Sequence, residues 1–257
     1  MYPECLGMDL TFGTNKQRRP LFLVAGVDGS NHTFTMFRAF MPSKQARAFR
    51  WVILKALPAL VGSETLKYVS FIASDQEDSL CKAISSAITL KICPNAKQRY
   101  DFFHVFVLPW KNLRLKDTPV SSLIYKWIFS WFDSIENSIE FQHSYSRLHT
   151  YINNQSDELN PISNQGILDL ILDIVSKIQY CGNHFFLDVG TYGFKGDSFA
   201  ESMNSSLKNG AVSIDGRMNI DRSATVQMDM VRQRTYVNDM YVFRLIVCIV
   251  LDRMLTP

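Results

Sequence analysis

A chain of 257 residues, 47% hydrophobic and 20% charged, holds enough apolar material for one large core or one core with an inserted element, which excludes a disordered chain. A formal net charge of +3 excludes a uniformly basic protein, so any surface for a polyanion has to be a local patch. Five cysteines without regular spacing, no signal-like leader, and no apolar run near the ~18 residues that span a bilayer predict an intracellular protein with reduced thiols and no membrane partner.

In chain order, Cys5–Phe12 reads as a strand and Gly13-Thr14-Asn15 as a turn. Pro20–Val27 is a nearly continuous apolar run, as in a buried strand, and Asp28-Gly29 signals a tight turn. His32–Phe40 follows as a third strand, so the opening predicts an antiparallel meander. Ser43 is placed to cap a helix whose stripe is Phe49, Val52, Ile53, Ala56, Leu57 and Leu60, and Pro58 predicts a kink or an early stop. Tyr68–Ala73 reads as a fourth strand ending at Ser74-Asp75. A second helix is expected from about Glu77 to Ile88, with Leu80, Ile84, Ala87 and Ile88 inward. Gln98–Val107 reads as a fifth strand carrying Asp101 and His104. A meander followed by helix-linked strands implies an α/β fold, a mixed sheet covered by helices on both faces.

The character changes at Pro109. A basic loop with Lys111, Arg114 and Lys116 leads into an aromatic-rich helix near Val120–Ile139, and a linker is expected around Asn153–Ser163. The next helix has Ile167, Leu168, Ile171, Leu172, Val175 and Ile178 as its stripe. Three segments result: a first part of the core over 1–108, an all-helical insertion over 109–190, and completion of the core over 191–257. In the last segment Asp197–Gly210 reads as a short helix with Glu201, Asn204, Ser205 and Lys208 on one face. A long helix is expected from about Arg222 to Leu255, striped by Val237, Met240, Tyr241, Leu245, Cys248, Leu251 and Leu255.

Three acids need explaining. Asp9 lies inside an apolar strand, where a carboxylate wants a cation; Lys16 or Arg18 would serve. Asp75 ends a strand and precedes a helix, so it reads either as an N-cap or as a ligand at a strand's carboxyl end. Glu201 alone is an ordinary first-turn acid. If the first and fourth strands are neighbours, Asp9 and Asp75 face each other. Carboxylates that close repel unless protonated or bridged by cations, and Mg²⁺ is the natural bridge. A third carboxylate from Glu201 would complete a two-metal site for phosphodiester chemistry.

These residues resemble a known family. Asp9-Leu-Thr-Phe-Gly-Thr-Asn15 with Pro20-Leu21, Phe49-Arg-Trp51, Ser74-Asp75 before the Leu80–Ile84 helix, Asp101-Phe-Phe-His104, and Glu201-Ser-Met-Asn-Ser-Ser-Leu-Lys208 occur in the order found in the catalytic domain of Mutator-like element (MULE) transposases and the related far-red-response-type proteins. The resemblance implies a ribonuclease H-like fold with a helical insertion before the last acid. It implies Asp9, Asp75 and Glu201 as catalytic ligands of two Mg²⁺ or Mn²⁺ ions, with Asp101, His104, Asn204 and Lys208 as motif residues around them. The implied activity is cleavage and transfer of transposon DNA strands by a DDE transposase, in a complete, truncated or degenerate copy. Transposon ends and target DNA are the implied partners, a homo-oligomer stays open, and a eukaryotic copy would be nuclear. Only eight residues precede Asp9 and the chain stops at Pro257, so end-specific recognition is not expected of this polypeptide alone.

Other residues allow more than one reading. Lys111, Arg114 and Lys116 would suit DNA phosphates or form a solvated loop. Trp127 and Trp131, four apart on one helix face, would stack on bases or, as tryptophans more often do, pack in a core. Cys181-Gly-Asn-His184 has ligand-like spacing, but only the distant Cys81 and Cys93 are available to complete a zinc site. Two other classes compete with the transposase reading: a domesticated DNA-binding or regulatory protein without catalysis, and a ribonuclease or exonuclease on the same fold.

Overall fold

In the computed structural model, residues 4–27, 33–154, 161–189, 200 and 248–250 are described. They divide into two compact units, Met1–Gln98 with Asp197–Pro257, and Arg99–Gly196. The helix expected over Asp197–Gly210, with Glu201, Asn204 and Lys208, lies outside the described residues except for Ala200.

The first unit is built on a mixed sheet. Its strands are β1 (Cys5–Thr11), β2 (Leu21–Val27), β3 (Thr33–Phe40), β4 (Phe71–Ser74), β5 (Lys97–Tyr100) and β6 (Cys248–Val250), in the spatial order β5-β4-β1-β2-β3-β6. β1 and β2 pair antiparallel, as do β2 and β3, whereas β1 runs parallel to β4 and β3 parallel to β6. The meander forms because three apolar runs are separated by turn chemistry. In the first turn Gly13 takes φ 72, and Asn15, almost wholly buried, uses its amide to bond both the carbonyl (2.7 Å) and the N–H (3.0 Å) of Arg19. That side chain does the work of a backbone turn.

Strand alternation sends Leu6, Met8, Phe22, Val24, Phe37, Ala39 and Ile72 to one face, where they meet Phe49, Val52, Ile53, Leu57, Leu80 and Ile84. These helical residues come from α1 (Ala46–Trp51), which runs through a π turn at Val52–Ala56 into α2 (Leu57–Val61), and from α4 (Asp78–Thr89); the single turn α3 (Ser63–Leu66) lies between α2 and β4. The opposite face is buried as well, through Cys5, Leu21, Leu23, Ala25, Phe40, Phe71 and Ala73. Pro58 does not stop the helix, which continues to Val61. Its ring would collide with the Leu54 carbonyl and it has no N–H to give, and the wide π turn just before it relieves both conflicts.

The second unit is helical. A π turn (Phe103–Val107) runs into α5 (Leu108–Asn112), again just ahead of a proline, Pro109; then come α6 (Pro119–Asp133), α7 (Ser138–Asn154) and α8 (Pro161–Lys177), with 3₁₀ turns at Ile178–Tyr180 and Asn183–Phe185. α6 opens on a full capping box between Thr118 and Ser121. A separate core gathers Val105, Phe106, Ile124, Ile128, Trp131, Phe132, Phe141, Leu148, Ile152, Ile167, Ile171 and Ile174.

Four expectations are corrected. The fifth strand stops at Tyr100, and Phe103–Val107 is helical, so Asp101 and His104 leave the sheet. The aromatic helix ends at Asp133 and α7 begins at Ser138, a helix the sequence hid because its buried side chains, Phe141, Leu148 and Ile152, are widely spaced. On α8 the buried line is Ile167, Leu170, Ile171 and Ile174, leaving Leu172 57% exposed. Cys248–Val250 is a strand where a helix was expected, since a short run rich in β-branched residues cannot be told from a buried helix by periodicity.

Buried thiols give the first unit and the helical unit a common pH response. Burial pushes Cys5 and Cys181 up to about 12 and Cys93 up to about 11, from 9.0. The folded chain keeps these protons while the unfolded chain releases them near pH 9. Stability is therefore intact below about pH 9 and lost as pH rises toward 12. Urea midpoints should fall across that window, and Cys181→Ala should remove part of the slope.

Candidate active site

β1 and β4 are neighbours, and their parallel register runs from Cys5 beside Phe71 to Met8 beside Ser74. Asp9 is the next residue within β1, and Asp75 follows Ser74 immediately past the end of β4. Alternation points both away from the Leu6, Met8 and Ile72 face, toward the opposite side of the sheet. Backbones of adjacent strands lie about 5 Å apart, so the two half-buried carboxylates share one end of the sheet. Leu10 N–H donates to Asp9 Oδ1 at 2.6 Å. Asp75 is pinned through its backbone carbonyl, which accepts from Ser74 Oγ (3.1 Å) and Cys81 Sγ (3.4 Å). It is not the N-cap of α4; Glu77 holds that position, without a side-chain cap bond.

The same row of the sheet contains a residue that the sequence reading passed over. Asp9 pairs with Leu23, and Leu23 pairs with Arg38 on β3. Arg38 is only 3% exposed and donates to Thr35 Oγ1 at 3.1 Å. Its backbone is two strands from Asp9, about 10 Å, and its side chain leaves the same face. The argument that singled out Asp9, a charge inside an apolar strand, applies equally to Arg38 in Thr33–Phe40.

Asp101 and His104 belong to the helical unit and are described within it. Asp101 is buried, and its Oδ2 accepts from the His104 N–H at 3.1 Å, so the two-residue spacing of this motif is that of a helix cap. Two residues before it, Arg99 is buried with its guanidinium 4.8 Å from the centre of the Phe186 ring. Burial lowers it to about 10, still a cation at neutral pH, and the Asp101 charge opposes that shift. Asp101→Ala should destabilise the chain by about 2 kcal/mol, through the lost cap and a less compensated Arg99; Asp101→Asn, which can still cap, should cost less. Denaturant melts of the two variants check this order.

Trp131 is corrected as a DNA-contact candidate, because it is wholly buried in the helical core. Its indole N–H donates to Ser144 Oγ at 2.9 Å, and that of the half-buried Trp127 donates to the same oxygen at 2.8 Å. Lys111, Arg114 and Lys116 are exposed, with Lys111 Nζ 5.4 Å from the Phe103 ring centre. Cys181 donates its thiol proton to the Lys177 carbonyl at 3.2 Å, and its raised pKa is the reverse of what a zinc thiolate needs. Among the described residues no group of three metal-ligating side chains is gathered; Glu201, the third expected acid, is outside them. Among the described residues, too, no helix is long and apolar enough to cross a membrane.

Residues 5–107 match the family model of the MULE transposase domain. This segment is a MULE transposase domain. It takes in β1 through β5, both Asp9 and Asp75, and the Asp101–His104 cap. Over 253 residues the chain is also 22% identical to part of the PKS-NRPS hybrid synthetase cheA of Chaetomium globosum. That match covers 93% of this chain but 5% of the synthetase, so the chain spans a small fraction of that protein, whose named activity stays with it. The MULE domain ties the chain to transposase-related function.

Proposed function

We propose that the MULE domain is the first part of a ribonuclease H-like core of a DDE-type transposase, that residues 109–190 are a helical insertion in it, and that Asp9, Asp75 and Glu201 are its catalytic acids. The observation that supports this reading is the placement of Asp9 on β1 and of Asp75 just past the end of the adjacent parallel strand β4, in a sheet ordered β5-β4-β1-β2-β3-β6. Their donor set fits Mg²⁺ or Mn²⁺: hard carboxylate oxygens from neighbouring strand positions. Bound there, a pair of such ions would supply Lewis-acid activation of the attacking oxygen and charge neutralisation at the leaving oxygen of an in-line displacement. The chain's own part is to fix the ligands. The β1–β4 register sets the distance between the acids, the two bonds to the Asp75 carbonyl hold the end of β4, and Arg38 supplies a buried cation on the acid face. DNA is the substrate of this reading. Nicking of supercoiled DNA by wild type and by Asp75→Asn, with and without Mn²⁺, tests it. Absence of both nicking and a metal-induced melting shift in wild type would leave a domesticated, non-catalytic protein.

A further inference from the structure

We propose that the cleft between α5 and the start of α6 is a docking site for the phosphodiester backbone of DNA, separate from the acid pair. The cleft measures about 340 Å³ and lies wholly within the helical unit. Lys111 from α5, Arg114 and Lys116 from the connecting loop, and Lys126 from α6 all line it, and all four are exposed. Against them stands one acid, Asp117, which accepts from the Ser122 hydroxyl at 3.2 Å. The excess of three positive charges in this one cleft equals the formal excess of the whole chain, so the rest of the sequence is electrically balanced.

Some lysines elsewhere pair locally, Lys67 with Glu64, Lys82 with Asp78 and Lys177 with Asp173, whereas the exposed Lys16, Lys55 and Lys91 stand singly and not in a cluster. None of the four cleft cations has an ion-pair partner among the described residues. A single small anion does not need four cations, whereas a polyanion running through the cleft meets them in succession. The start of α6 offers few amides to an anion, because Thr118 takes the Ser121 N–H and Pro119 has none, so side chains have to supply most of the grip. Trp110 and Tyr125, packed edge-to-face at 5.5 Å, give the cleft an apolar wall suited to deoxyribose. Arg114 itself occupies a left-handed conformation, φ 49, just past the end of α5, where glycine is the residue the backbone favours.

The inference rests on the proposed function only in taking DNA as the polyanion. It is tested on the full chain in EDTA, where no cleavage occurs, by anisotropy of a short labelled duplex over a salt series. The Lys116→Gln/Lys126→Gln double variant should lose about ten-fold or more in affinity at low salt and about two contacts' worth of log–log salt slope, at an unchanged melting temperature. Arg114→Gly should bind more weakly while melting higher, a combination that a merely structural arginine would not give. Unchanged affinity and slope in the double variant would overturn the proposal, as would inorganic tripolyphosphate binding as tightly as the duplex. A double variant that binds normally while Asp75→Asn has lost nicking removes the cleft and leaves the catalytic reading. Weakened binding in the double variant, with no form nicking, does the reverse.

Discussion

Asp75→Asn should abolish metal-dependent nicking and strand transfer, by more than the 10- to 100-fold (roughly) that loss of an outer-shell partner costs a metal site. The fold should survive, because the backbone carbonyl of Asp75, bonded by Ser74 and Cys81, is untouched by the substitution. The substitution keeps the side chain's shape and removes one charge from a crowded pair. In metal-free buffer the variant should melt at or slightly above the wild-type temperature, since Asp9 no longer faces a second carboxylate. Adding Mg²⁺ or Mn²⁺ should stabilise the wild type, by about 2.7 kcal/mol at a hundred times the dissociation constant, and the variant far less. A capping aspartate would give the opposite pattern, with lower metal-free stability and no change in the metal response, but the N-cap of α4 is Glu77. Equal cleavage by the two proteins would remove Asp75 from the mechanism.

The largest loss of stability is expected from Trp131→Ala, about 3–5 kcal/mol. Trp131 is the largest fully buried side chain, with Phe141 edge-on at 5.2 Å and Tyr145 at 6.3 Å, and its removal opens a hole between α6 and α7. Ser144→Ala should cost about 1–3 kcal/mol, because it leaves the buried indole N–H of Trp131 without its acceptor. Trp127→Ala should cost less than Trp131→Ala, since that ring is half-exposed and Arg147, 5.6 Å from its centre, covers part of it. Three of the four tryptophans lie in the helical unit, so fluorescence follows its unfolding with little signal from the sheet. A Trp131→Ala protein with wild-type urea midpoint would mean that the aromatic core does not hold α6 to α7.

The meander and the two strand-end aspartates were legible because each strand is a buried apolar run bounded by turn residues, and a charge inside such a run stands out. Arg38 meets the same criterion, but a lone arginine in a strand carries no metal-ligand signal of its own. The end of β5 was misjudged because Phe102–Val107 is aromatic and β-branched; the features that decide it are the Asp101 cap at one end and Pro109, preceded by its π turn, at the other. α7 hid behind a polar sequence, and Cys248–Val250 behind an apolar stripe that satisfies either period. Trp131 shows a different limit: spacing put both tryptophans on one helix face, but only packing against α7 decides which of them is core.

The pairing of β3 with β6 carries a consequence for how this protein is made. β3 is synthesised before β6, with the whole helical unit made between them. Until Cys248–Val250 arrives, the outer edge of Thr33–Phe40 has no strand partner, and it presents unpaired backbone groups beside an aromatic sequence. A nascent chain that has made β3 but not yet β6 is thus open to pairing with another copy at that edge, and chaperone demand should be highest over that interval.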